Sequence, residues 1–442
     1  MPKRILQGIF WISVYLLITL APLFILLAGP RPAGRELWRD LSVGLGFCGF
    51  AMMGLQFVLT ARFKTIKAPY GSDIVYFFHR QISIVSFVLI IAHPVMLFIF
   101  DPSHLGLLNL ITAPWAARFG VAAVLALAAL IGLSLWRKNL RIEYDRWRIW
   151  HGVLAIGAVA LALVHIEMRG YYLNTPWKQL FWGIYSIFWI GLLAWVRVIK
   201  PLILLRKSYL VEKVIPERGN AWTVVLRPDN HKGFRFQPGQ FAWITAWVSP
   251  FKDHEHPFSF SCSAEDQTQL TFTIKELGDF TKRVKNLSQG QRVYVDGPFG
   301  AFSVDRHLHA QEFVFIAGGI GITPIMSMMR TLADRMDKRP MTLIYANKTL
   351  ETATFLEEID ELVKKLNIKV VHVLESPPEG WQGEKGFVNA DILKRNLPAK
   401  SNRNEMEIFL CGPGPMMDAV EKALVLLEIP MGDFHSERFN MV

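Results

Sequence analysis

The sequence predicts a multi-domain chain: a six-helix transmembrane bundle, then an antiparallel β-barrel, then a doubly wound α/β domain. Three observations predict it. The 442 residues are 52% hydrophobic with a mean hydropathy of +0.27, yet nearly all long uncharged runs lie before residue 200. Beyond them come short runs of aromatic and β-branched residues separated by turn residues. From Glu312 onward apolar strands alternate with helical stretches, the pattern of βαβ units on a parallel sheet. This distribution excludes a disordered chain, a purely soluble enzyme and a bare membrane channel. The formal charge of +11 sits mostly in short loops between apolar runs, where it reads as membrane topology and not as nucleic-acid binding. Cys48, Cys262 and Cys411 are too few and too scattered for a disulfide framework or an iron–sulfur cluster.

Six uncharged stretches approach or exceed the ~20 residues that cross a hydrocarbon core as helix. They are Ile5–Gly29, Leu41–Thr60, Gln81–Phe100 (extending back to Ile74), Phe119–Trp136, Ile149–Ile166 and Gln179–Val196. Lys3 and Arg4 precede the first as they would in a signal peptide. No small-residue cleavage site follows, so we read it as a retained span. Fourteen Lys and Arg fall in the loops of one side and six in those of the other. The positive-inside rule then places both termini, and everything after residue 200, on the cytoplasmic side. Arg118, His104 and Arg169 fall on the outer side, where they would attract an anionic acceptor.

Four histidines interrupt these spans: His79 and His93 on the third, His151 and His165 on the fifth. Each pair is separated by 14 residues, just under four helical turns, which puts both imidazoles on one face roughly 21 Å apart. The two spans run in the same direction, so His79 shares a depth with His151, and His93 with His165. Facing histidines at two depths are the ligand set of two bis-histidine b-type haems. Ionisable groups at this depth are costly and usually functional.

In the soluble half, strands are predicted at Tyr209–Val214, Ala221–Arg227, Phe241–Thr245 and Gln269–Ile274, closing a small barrel near residue 305. The α/β part has strands at Phe313–Ala317, Met341–Ala346, Lys369–Leu374 and Glu407–Leu410. Its helices fall at Ile325–Asp337, Thr354–Leu366 and Met416–Leu427. The domains are therefore set at 1–200, 206–305 and 310–442. The first βα turn reads AGGIGITP, with Gly318, Gly319 and Gly321 between strand and helix, a place where backbone approaches a phosphate closely. A second glycine-rich turn, CGPGPMM from Cys411, follows the last strand, and both would face one crevice. In the barrel, His256-Pro257-Phe258-Ser259, Gly278-Asp279-Phe280-Thr281 and Asp296-Gly297-Pro298-Phe299-Gly300 together offer an aromatic ring, hydroxyls and free amides to a flavin and its pyrophosphate.

With these motifs in this order, the chain resembles the ferric reductase and NADPH oxidase superfamily over nearly its whole length, particularly compact bacterial members. Its soluble half resembles a ferredoxin–NADP reductase module. The resemblance implies one FAD, two b-type haems and a nicotinamide donor, NADPH or NADH. It assigns His256, Pro257, Phe258 and Ser259 to the flavin ring and phosphate, and Gly278 with Thr281 to the pyrophosphate. Gly318, Gly319, Gly321, Thr323, Cys411, Gly412 and Pro413 go to the dinucleotide. Cys411 and Phe439, an aromatic that stacks on the flavin in relatives, are the catalytic candidates. Lys348 stands where relatives often have an arginine on the adenine-side phosphate, which favours NADPH. No EF-hand loop is present, so calcium gating is not expected. The implied activity is electron transfer from cytoplasmic NAD(P)H through FAD and two haems to an outer acceptor. That acceptor is oxygen giving superoxide, with a ferric chelate or a partner protein as alternatives. The implied setting is a bacterial inner membrane, with no nucleic acid and no obligatory protein partner.

Overall fold

A computed structural model describes residues 3–28, 36–62, 72–168, 172–173, 175–252, 254–266, 268–398 and 405–438. The chain divides into two units, one of residues 1–69 with Ile74–Pro201, the other chiefly Leu202–Val442.

The first unit is helical: α1 Lys3–Leu27, α2 Leu37–Thr60, α3 Ser72–Phe100, α4 Trp115–Leu135, α5 Tyr144–Met168 and α6 Pro176–Ala194. All six are long and apolar enough to cross a membrane. Their outward side chains, such as Leu17, Ile99, Ile187 and Leu180, are two-thirds or more exposed, a surface that only lipid would cover. The small polar residues point inward. Ser86 is buried and donates to the Gly49 carbonyl at 2.8 Å, while a Cβ at Gly49 would lie 2.7 Å from Ile90. Small residues of this kind let α2 and α3 approach closely where apolar burial alone gives no driving force. Phe47, Phe50, Leu127, Leu130, Ala158 and Trp182 form the bundle core, with Phe87 packed against it. After α6 a single π turn, Trp195–Ile199, leads into α7 Lys200–Arg206.

The second unit begins with β1 Tyr209–Glu217, β2 Ala221–Pro228, β3 Phe241–Ala246, β4 Glu255–Ser259, β5 Leu270–Lys275, the short helix α8 Asp279–Arg283, and β6 Arg292–Phe299. The antiparallel order is β4-β3-β6-β1-β2-β5, and a bridge from Phe260 to Phe272 brings the two edges together into a barrel. Phe260 and Phe272 are fully buried at its centre.

There follow β7 Glu312–Gly318, α9 Ile322–Asp334, β8 Met341–Asn347, α10 Leu356–Val363, β9 Ile368–Leu374, β10 Glu384–Lys385, α11 Ala390–Asn396, β11 Met406–Cys411, α12 Gly414–Leu426 and β12 Phe434–Glu437. These strands form a parallel sheet in the order β10-β9-β8-β7-β11-β12. Alternation along β7 sends Phe313 and Phe315 into a core with α9 and α10, and Val314 and Ile316 into one with α11 and α12. Helices therefore cover both faces, as in a doubly wound fold. The chain adds strands outward from β7 on one side, then returns to place β11 on the other. That reversal is the topological switch point.

Several boundaries differ from the sequence reading. HPFS, which is not among the predicted strands, lies on β4: Pro257 sits on the sheet edge, where its missing N–H costs nothing. Asp296-Gly297-Pro298-Phe299 likewise belongs to β6. Helix α9 runs Ile322–Asp334, starting directly at the glycine turn and ending before the stretch predicted to close it.

Candidate functional site

The two glycine turns meet at the switch point. Gly319 adopts φ +52°, a left-handed conformation that glycine takes without steric cost. A Cβ on Gly321 would run into the Cys411 carbonyl, and one on Gly318 would lie 2.8 Å from Pro413. The turns after β7 and β11 thus pack backbone to backbone, and their glycines are sterically required. Gly412 lies against Gly318, and Cys411 is in register with Glu437 on β12. Gly300, at the end of β6, brings the barrel to the same place, since a Cβ there would lie 3.0 Å from Glu437. Thr323 is buried in the first turn of α9 and donates to the Ile320 carbonyl at 2.8 Å, stiffening the turn. Lys348 is exposed immediately after β8, on the same C-terminal edge of the sheet.

The barrel motifs are tied to α9. The Ala264 amide donates to Thr331 at 2.9 Å, Ser327 donates to the Cys262 carbonyl at 2.7 Å, and Arg330 bonds both the Ser261 carbonyl and Glu358. The segment leaving β4 is therefore fixed to the helix that opens at the first glycine turn. On β4, His256 lies 4.0 Å between ring centroids from Phe280, and Phe258 stacks on Phe280 at 5.9 Å. Trp247 completes this aromatic cluster, packing edge-on against Phe280 at 5.3 Å, with Arg283 over its ring at 4.5 Å. Pro257 and Ser259 are buried behind it. Gly278 is the N-cap of α8, and Thr281 accepts from the amides of Leu277 and Gly278 at 2.9 and 2.8 Å. An aromatic cluster beside a helix start offers a face against which a flat ring carrying phosphate would lie. Phe280 and Trp247 were not singled out as site residues from sequence, although Phe280 stood inside a quoted motif. Phe439 lies outside the described residues.

All three cysteines are buried and unpaired. Burial, reinforced by the Glu437 charge, pushes the Cys411 thiol well above its usual range, and burial also raises Cys262. Both stay protonated in the folded protein at neutral pH. Because the unfolded chain releases these protons first, native stability falls as pH rises through the ordinary thiol range of about 8.5. Maleimide should label neither residue in the native protein at pH 8, and both after denaturation. Native labelling of Cys411 would overturn this assignment.

In the helical unit the four histidines fall into two facing sets. The rings of His79 and His151 are 6.3 Å apart between centroids. That is close to twice the sum of a metal–imidazole bond of about 2 Å and the radius of the ring. His151 is oriented through Ser134, whose hydroxyl donates to the Leu130 carbonyl at 2.7 Å and accepts from Trp147 Nε1 at 3.2 Å. His151 Nδ1, 3.2 Å from that oxygen, must then donate to it, which turns Nε2 towards a ligand. The Nδ1 of His79 is buried without a hydrogen-bond partner among the described residues.

His93 and His165 line one cavity of 810 Å³, a size that holds a cofactor. His93 and Ser42 bond reciprocally: the Ser42 hydroxyl donates to the His93 carbonyl at 2.8 Å, and His93 Nδ1 donates to the Ser42 carbonyl at 3.1 Å. His165 Nδ1 donates to the Ala116 carbonyl at 2.7 Å. Gly46 and Gly120 make room for the two rings, with Cβ positions 3.2 Å from His93 and 2.8 Å from His165. The donor set, the fixed tautomers and the cavity fit a bis-histidine haem at His93 and His165, while at the other depth the fit rests on the spacing of the His79 and His151 rings. Arg39 and His104, 3.5 Å apart, line the same cavity. Arg39 was not singled out from sequence. Arg118 is not among the cavity-lining residues: its guanidinium donates to the Ala113 and Ile111 carbonyls at 2.8 and 2.6 Å. Arg169 lies outside the described residues.

Comparison with known proteins gives the same order of parts. Residues 45–163 match the ferric reductase like transmembrane component, 213–303 an FAD-binding domain and 315–422 the oxidoreductase NAD-binding domain. The chain belongs to the ferric reductase and NADPH oxidase superfamily. This superfamily member is a multi-pass membrane oxidoreductase with FAD- and NAD-binding domains, and its flavoprotein part is cytochrome b5 reductase-like. It is 33% identical over 221 residues to NADH-cytochrome b5 reductase 1 of Mortierella alpina, covering 49% of this chain and 73% of that one. It is 37% identical over 150 residues to NADH-cytochrome b5 reductase 1 of Pyricularia oryzae, covering 33% and 48%. The chain spans between about half and three-quarters of the length of these relatives. Among solved structures it is similar to a flavohemoglobin from Malassezia yamatoensis with bound FAD and heme, at 18% identity and TM-score 0.49, over 95% of this chain and 98% of that one.

Proposed function

We propose that the chain carries electrons from cytoplasmic NADPH, through FAD and two b-type haems, across a bacterial inner membrane to oxygen on the outer face, giving superoxide. The observation that carries this reading is the pairing of His79 with His151 and of His93 with His165, with Nδ1 hydrogen bonds orienting three of the four imidazoles. FAD accepts two electrons together and releases them singly, and a haem iron takes one at a time.

The protein's own part is placement. Gly318, Gly319 and Gly321, with Gly412 and Pro413, hold the nicotinamide dinucleotide's phosphates against bare backbone, and Cys411 stands as a neutral thiol at the crevice floor. His256, Phe258 and Phe280 supply an aromatic face against which the flavin ring would lie, with Pro257 and Ser259 behind them. Gly278, where even a Cβ would meet nothing, leaves space at the start of α8 for its pyrophosphate, and Thr281 holds that turn by accepting the amides of Leu277 and Gly278. Phe439 is proposed as the flavin lid. In the bundle, the carbonyls of Ser42 and Ala116 and the hydroxyl of Ser134 hold protons on the Nδ1 atoms of His93, His165 and His151. Each ring then presents Nε2 to iron. Held by a histidine on each side, such haems would supply one-electron transfer, and the acceptor would be met at the edge of the cavity lined by His93 and His165.

Lys348 supports NADPH, since an exposed cation at the end of β8 matches a ribose phosphate. The names of the relatives carry NADH. Replacing Lys348 with alanine should raise KM for NADPH about tenfold, the effect of losing one charge-assisted contact of about 1.4 kcal/mol, and leave NADH unchanged. Equal effects on both donors would assign NADH. A second reading, a ferric-chelate reductase, is favoured by Arg39 and His104, which suit an anionic chelate. The test is turnover by the purified protein alone with FAD. The oxidase reading expects NADPH-driven oxygen uptake and cytochrome c reduction that superoxide dismutase suppresses. An oxygen-independent rate that rises only with ferric chelate would favour the reductase.

A further inference from the structure

Away from the flavin and nicotinamide motifs, one buried carboxylate collects three imidazoles. Glu407 is the second residue of β11 and is 5% exposed. His307 Nδ1 lies 3.0 Å and His309 Nε2 2.9 Å from its Oε1, and His435 Nε2 lies 2.6 Å from its Oε2. The ligating atoms of His307, Glu407 and His435 all fall within 4.8 Å of one another. His307 is buried and His435 nearly so, whereas His309 is 64% exposed, leaving a route in from solvent.

Here two rings from the turn after the barrel, His307 and His309, and one from β12, His435, converge on Glu407 of β11. We propose that His307, His309, His435 and Glu407 form a structural site for a zinc-class divalent cation. Three imidazole nitrogens and one carboxylate oxygen are a donor set suited to zinc, and their number matches four-coordination. Bonds of about 2.0–2.1 Å set tetrahedral ligands roughly 3.3 Å apart, so His307, Glu407 and His435, already within 4.8 Å of one another, would close around the ion while the exposed His309 turns in as the fourth ligand. Binding replaces the N–H protons that now face Glu407 and releases them to solvent.

Two of the rings are already placed by packing, since His307 and His435 lie 5.6 and 5.2 Å from the Phe409 ring. The ion would fasten the segment leaving the barrel to the edge strand β12, two residues before Glu437 at the nicotinamide crevice. The site is independent of the electron path proposed above.

The test uses the full-length protein in detergent, purified without a histidine tag, loaded with Zn²⁺ and desalted. We expect about one zinc per chain, and a tetrahedral visible spectrum when Co²⁺ replaces it. Added Zn²⁺ should raise Tm, and EDTA should reverse the rise. His309→Ala removes an exposed ligand and should weaken Co²⁺ binding at least about tenfold. Glu407→Gln, nearly isosteric, should abolish the spectrum while FAD content stays normal. Absence of stoichiometric zinc and of any Zn²⁺-dependent Tm shift in the native protein would overturn the proposal. So would a Co²⁺ spectrum unchanged in both variants.

Discussion

Replacing His165 with alanine is expected to leave one haem per chain and to stop electron delivery to the outer face. The imidazole lines the outer cavity and its Nδ1 is anchored to the Ala116 carbonyl, so no neighbouring side chain takes over its place. The loss concerns a metal ligand, and disturbing even the outer partners of such ligands costs about 10–100-fold in affinity or activity. Transfer to an impermeant acceptor should therefore fall to background. Reduction of FAD by NADPH should survive, because the nucleotide and flavin motifs lie in the other unit. The measurement is haem content together with stopped-flow flavin bleaching and proteoliposome acceptor reduction. A variant that kept a normal transmembrane rate would sink the two-haem relay.

Gly321→Val should produce the complementary phenotype. Its side chain would enter the space held by the Cys411 carbonyl, where the two turns meet. Overpacking of a filled site costs about 1–3 kcal/mol. Taken from nucleotide binding, that is roughly a 5- to 150-fold rise in KM. The haem spectrum and its reduction by dithionite should be unchanged. Gly183, whose Cβ would meet nothing within 4 Å, is the control position for the same substitution in the bundle. Normal NADPH kinetics in Gly321→Val would mean that the dinucleotide does not use this crevice.

What could be read from the sequence follows from the physics of each signal. Span length and charge asymmetry report on the bilayer directly, and the 14-residue spacing of His79/His93 and His151/His165 needs only helical periodicity. The structure brings His79 and His151 face to face and puts His93 and His165 on one cavity. The glycine turns were legible because close backbone approach leaves no alternative to glycine. Strand β4 was missed because Pro257 reads as a breaker until the strand is known to be an edge. Ser42, Ser134 and Arg39 carry no local signal, since a serine or arginine near a span end has many uses. The His307–Glu407–His435 cluster was invisible for another reason: its members are single residues on distant segments, and only the sheet order brings them together.

The central claim is that one chain holds the whole route from nicotinamide to two haems. An anaerobic absorption spectrum of the detergent-purified protein with FAD, before and after NADPH, tests it most directly when combined with a haem count. The account predicts two b-type haems per chain, bleaching of the flavin, and the reduced bis-histidine spectrum, with oxygen restoring the oxidised form. A chain that bound flavin and consumed NADPH but contained no haem would contradict it, leaving a membrane-anchored flavoreductase.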